Sequence, residues 1–185
     1  MVRTFFCLAI LLPVLAQAGA AQSTPPVDEP AGAVPKGFDR LVLGLDIDRV
    51  KEILAEDPNF DFRGDPDVSM LLRPNESLIE CGGFSFIDRA YFQFYEKKLY
   101  TMTLVMNDLL IDHYTLYTAF VEKYGEPDEL SPAGAVWESE ETRFVLERPL
   151  SVKYLDVRVF EALKRQGRIE ESSRDLSKEQ FLDLF

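Results

Sequence analysis

Residues 90–106, AYFQFYEKKLYTMTLVM, constrain the fold more than any other stretch of the chain. Ala90, Phe92 and Phe94 alternate with Tyr91, Gln93 and Tyr95, and a period of two sends the two sets to opposite faces of a strand. Glu96-Lys97-Lys98 is a short turn, and Leu99 to Met106 returns as the partner strand. The phenylalanine face must be buried. Tyr91, Tyr95 and Tyr100 then belong to the opposite face, where rigid amphipathic rings suit protein binding or simple cross-strand support.

The stretches around this hairpin supply its cover and its neighbours. Ile47, Val50, Ile53 and Leu54 have helical spacing after Asp46, a candidate N-cap, which predicts a helix over 47–56 ended by Asp57-Pro58. Asp112 caps a second helix whose stripe is Leu116, Tyr117, Phe120, Val121 and Tyr124, and Gly125 followed by Pro127 ends it. Short strands are predicted at 68–72, 77–80, 135–138, 142–147 and 152–157. Phe160 and Leu163 suggest a short helix, and Ser177 with Gln180 has capping-box spacing before another.

These elements predict an α+β domain, an antiparallel sheet with helices packed on one face. Each predicted helix is followed by a similar turn, Gly64-Asp65-Pro66-Asp67 and Gly125-Glu126-Pro127-Asp128, and then by strands. That pattern is compatible with two αβββ-type repeats or with the ordinary use of glycine, proline and acids in turns.

The order LGLDIDRVKEIL, YFQFYEKKLYTMTLVM, LYTAFVEKYGEPD and AVWESEETRFVLERP resembles uncharacterised secreted α+β proteins of spirochaete type. In layout it is also similar to the outer-membrane assembly lipoproteins of the small-protein-A type and to the β-lactamase-inhibitor-protein fold. The resemblance covers roughly residues 38–162 and contains no catalytic motif. It implies protein binding, as scaffold or inhibitor. The chain departs from the assembly lipoproteins in lacking a lipidated cysteine at the cleavage point.

Location follows from the first residues. Arg3, an apolar run from Phe5 to about Ala16, and the small residues of Ala16-Gln17-Ala18 and Ala18-Gly19-Ala20 form a cleavable export signal over 1–20. The run is too short to span a bilayer as a helix, so no integral membrane span is expected after cleavage. Residues 21–37, with Pro25, Pro26, Pro30 and Pro35, read as a tether; the domain is expected over 38–167 and a helical extension over 168–185. A periplasmic or secreted protein results.

Removing residues 1–20 takes away Arg3 and no acid, so the net charge of -12 becomes about -13. Such a surface repels nucleic acid and anionic headgroups and attracts basic partners or divalent cations. Only Cys81 remains after cleavage, so the domain depends on its apolar core rather than on an internal disulfide.

Three constellations bear on chemistry. Asp57-x-Asn59-x-Asp61 has the spacing of the first three ligands of a calcium loop, and Asp65 falls at the ninth position. Phe62 stands where that loop requires glycine, and Val68 where it requires a bidentate glutamate. The stretch is therefore a weak calcium site with Asp57, Asn59, Asp61 and Asp65 as ligands, a turn closed by its own side chains, or a recognition loop. Cys81 beside Gly82-Gly83 could serve as a nucleophile only if His113, the single histidine, reached it with Asp112 or Asp108 behind. No zinc, P-loop or serine-hydrolase motif is present, and with 32 acids some carboxylate pair always lies at a hydrolase separation. The expected function is non-catalytic binding of another envelope protein, with calcium binding as the alternative and a cell-wall hydrolase third. No cofactor other than calcium is expected.

Overall fold

The computed structural model describes residues 32–70 and 75–182. The expected leader 1–20, residues 21–31 of the tether, and the end of the strand predicted at 68–72 lie outside them.

In chain order the strands are β1 (Gly37–Phe38), β2 (Leu41–Val42), β3 (Phe60–Asp61), β4 (Val68–Met70), β5 (Glu76–Gly83), β6 (Ile87–Tyr95) and β7 (Lys98–Met106). β8 (Glu129–Ser131), β9 (Gly134–Glu138), β10 (Thr142–Glu147) and β11 (Ser151–Asp156) follow. Helix α1 (Ile47–Glu56) precedes β3, α2 (His113–Tyr124) precedes β8, and α3 (Val157–Leu182) continues from β11. β1 and β2 pair with each other; the remaining nine strands form one antiparallel sheet in the order β3-β5-β6-β7-β11-β10-β9-β8, with β4 also on β5. Two three-stranded meanders, β5-β6-β7 and β9-β10-β11, thus meet at their last strands, each meander preceded by a helix.

Register carries the core. Ile79, Phe92, Met102, Tyr154, Phe144 and Trp137 are successive Cα partners across six strands, and all are buried. The next inward row, Cys81, Ala90, Leu104, Val152, Leu146 and Ala135, is buried along its whole length. Val50, Ile53 and Leu54 of α1 and Leu116 of α2 belong to the same core, where Phe120 meets Phe144 edge-on at 4.9 Å. Burying side chains of this size contributes about 1.5–3 kcal/mol each.

Several local expectations change. Asp46 sits at the N-cap of α1 without capping it, because its carboxylate takes Lys98 Nζ at 2.8 Å instead. Asp112 does cap α2, accepting from Thr115 N at 2.8 Å. The two short C-terminal helices are one continuous helix, so the boundary expected at 167/168 and the Ser177-Gln180 capping signal both fall inside α3. No proline interrupts 157–182, and its Glu, Lys, Arg and Leu residues favour helix enough to carry Gly167. α3 also departs from a one-sided arrangement: Phe160 lines the sheet face opposite α1 and α2. Packing begins before Phe38, since Pro35 is buried and Lys36 reaches Glu141 at 2.6 Å.

Candidate binding surface

The side chains that alternate with the buried rows make the outer face of the sheet. One outer row runs Glu80, Tyr91, Thr103, Lys153, Val145 and Val136; its neighbour runs Leu78, Gln93, Thr101, Leu155, Arg143 and Glu138. A bulge sets the aromatic content of this face. Gln93 pairs with Thr101 but Phe94 pairs with Leu99, so Tyr100 is the extra residue of β7. Its hydroxyl donates to Gln93 Oε1 at 3.2 Å.

A groove of about 570 Å³ lies on this face, with Tyr91, Tyr100, Val136, Leu155 and Phe160 as its apolar lining. Phe160 comes from the first turns of α3, which Asp156 begins by accepting from Val159 N at 3.0 Å. The groove's cations are held by neighbouring acids: Lys153 Nζ lies 2.9 Å from Glu147 and Arg143 Nη2 lies 2.8 Å from Glu138. The hydrogen bonds that Arg143 donates to Glu138 lead the causes that raise its pKa, so its charge persists at any physiological pH. The result is an amphipathic trough with fixed polar groups, a form suited to a ligand that is mostly apolar.

Of the three tyrosines expected to bind protein, Tyr91 and Tyr100 line the groove. Tyr95 has the same outward parity on β6, opposite Glu76 and Lys98, outside the groove lining. Sequence reasoning missed Phe160, Arg143 and Lys153. The alternation of Ser151, Lys153 and Leu155 with Val152 and Tyr154 was the available signal for the second meander's outer face.

The four calcium candidates do not converge. Among the described residues no three His, Cys, Asp or Glu side chains form a group able to hold a metal ion. Asp57 is buried, and its Oδ1 accepts from both Asn59 N and Asn59 Nδ2 at 2.9 Å, closing the turn after α1. Asp61 is exposed on β3, and Asp65 is almost wholly exposed with Lys51 Nζ at 3.4 Å. The second buried acid of this loop is Asp67, which accepts from Arg63 N at 2.8 Å and Arg63 Nε at 2.9 Å. Burial raises the Asp67 pKa, and the Arg63 hydrogen bonds and charge outweigh it, so the net displacement is downward.

Cys81 lies in an inward row, and burial, followed by the charges of Asp67, Asp61 and Glu80, pushes its thiol up to about 12. A thiol so placed is protonated at neutral pH, the reverse of an activated nucleophile. His113 opens α2, where burial and Arg148 lower its pKa against the pull of Asp112. Its Nε2 is buried without a hydrogen-bond partner among the described residues.

A model of the TP0088 domain matches residues 36–166. The chain belongs to that family. The TP0088 match spans both meanders, α1, α2 and the opening turns of α3, so the groove lies inside it, and it agrees with the spirochaete-type resemblance. No curated protein and no solved structure matches the chain.

Proposed function

We propose that this protein is exported, non-catalytic, and binds another protein of the cell envelope through the outer face of its sheet. The groove lined by Tyr91, Tyr100 and Phe160 carries this reading, because it joins amphipathic rings to charges already paired within the protein. Rings of this kind supply large contact area at small entropic cost. A scaffold or an inhibitor is the version supported by the likeness in layout to the assembly lipoproteins and the β-lactamase-inhibitor fold. The two αβββ halves are part of the same proposal. Gly64 and Gly125 both have φ +85, Gly125 at the end of α2 and Gly64 after β3, and the meanders they precede meet at β7 and β11.

A photo-crosslinking residue at Val136, inside the groove, tests this in the intact envelope against the same residue at Glu56 on α1. A discrete adduct at position 136 that weakens about tenfold with Tyr91→Ala and Phe160→Ala is expected, as for two anchor residues of an interface. Identical adducts at both positions, or none at 136, would overturn the reading.

A further inference from the structure

Where β6 begins and β7 ends, two loops lie side by side, and Asn107 joins them. Its backbone N–H donates to Phe86 O at 2.9 Å, its Nδ2 donates to Ser85 O at 3.2 Å, and its Oδ1 accepts from Leu109 N at 3.0 Å. Phe84 N also donates to Asn59 O at 2.9 Å, which fixes the first loop against the turn after α1. These fixed loops, with the first turn of α2, display Phe84, Phe86, Leu109, Leu110 and Tyr114, each more than half exposed and Leu109 89% exposed.

Apolar residues scattered singly over a surface need no explanation, whereas a cluster does. Five of the nine large hydrophobics exposed among the described residues belong to this one end. The surrounding charge is mainly acidic. Asp88 and Asp108 are exposed and in no ion pair among the described residues, and Asp112 is exposed at the cap of α2. Arg148 acts on His113 here, and Arg89 is taken by Glu80 at 2.7 Å.

We propose that this end docks a partner protein whose apolar pocket is rimmed by lysines or arginines. The chemistry selects that occupant. A second copy meeting the same patch across a twofold axis would set Asp88 and Asp108 against their own equivalents. An anionic bilayer repels the same carboxylates, in a chain whose net charge is -12. A basic rim gains from both the local acids and the long-range field, and its pocket removes the five rings and leucines from water. This surface is separate from the groove, so each can fail without the other.

The probe is a fluorescent helical peptide with leucines on one face and lysines on the other, read by anisotropy against a scrambled peptide of equal composition. The intact protein is expected to prefer the amphipathic peptide, with affinity falling as salt rises. The exposed pair Leu109→Ser/Leu110→Ser should weaken binding about tenfold, and Asp88→Asn/Asp108→Asn should weaken it several-fold and flatten the salt dependence. Tyr91→Ala, in the groove, should change nothing. Equal affinity for the scrambled peptide, or unchanged binding by both double variants, overturns the proposal. So does a dimer in sedimentation equilibrium, or co-sedimentation with phosphatidylcholine vesicles, that Leu109→Ser/Leu110→Ser abolishes.

Discussion

Trp137 Nε1 donates a 2.8 Å hydrogen bond to the carbonyl oxygen of Gly125, tying the last turn of α2 to β9 beneath it. The bond is available because Gly125, at φ +85 and ψ -174, turns the chain in a backbone region that side chains disfavour. A Cβ there would meet no atom within 4 Å, so Gly125→Ala isolates the backbone cost. A loss of about 1–3 kcal/mol is expected, as for other residues held in sparsely populated conformations. Trp137→Phe should cost about 0.5–1.5 kcal/mol for the hydrogen bond it removes, because Gly125 is exposed and water can take its carbonyl. Denaturant midpoints at constant slope measure both, and an unchanged midpoint for Gly125→Ala would show that the turn is not set by the glycine.

Acid should act in two separate windows. The folded pKa of His113 lies below its unfolded value near 6.5, so the unfolded chain binds the proton more readily and stability declines as pH falls through that value. Asp67, with its folded pKa lowered from 3.8, contributes stability that is complete above that value and is lost as pH falls further. Melting temperatures from pH 8 to pH 3 should show both steps, the first removed by His113→Gln and the second reduced by Asp67→Asn. A His113→Gln profile that still falls between pH 7 and pH 5 would refute the first assignment.

The thiol of Cys81, pushed up to about 12 by burial, should resist alkylation in the folded protein. At pH 8 roughly one part in 10,000 of such a thiol is thiolate. Iodoacetamide should label it only as the chain opens, at a rate that rises with denaturant. Labelling at the speed of a free cysteine would show an accessible, activated thiol.

Calcium at millimolar concentration should leave the melting temperature unchanged, because Asp57, Asp65 and Asp67 are held by separate partners, Asn59, Lys51 and Arg63. Asp57→Ala should destabilise by about 1–2 kcal/mol with or without the ion, since the hydrogen bonds to Asn59 are what it removes. A calcium-dependent rise that Asp61→Ala abolishes would restore the metal reading.

Much of the fold was legible locally. The bounds of α1 and α2 follow from helical spacing with Pro58 and Gly125 as stops, and β6 and β7 from a period of two around a polar turn. The candidate surface was legible only by half. Tyr91 announces itself by parity, but Tyr100 has the parity of buried Met102 and Leu104 and joins the outer face only through the bulge. Phe160 reaches them through a helix whose placement on that face no local pattern encodes. Spacing left Asp57 open as a calcium ligand or as part of a turn closed by its own side chains, and its hydrogen bonds with Asn59 are those of the turn. The role of Asp67 depends on Arg63, which spacing does not encode.

What the sequence determined by itself is the set of elements and which face of each is apolar, because φ, ψ and side-chain periodicity are properties of neighbouring residues. The tertiary structure alone decided that β7 pairs with β11, that the two inward rows run in register across both meanders, and that Asn107 brings Phe86 and Leu109 to one end. Those relations join residues far apart in the chain, and only the burial of a shared core and the pairing of strand edges select them.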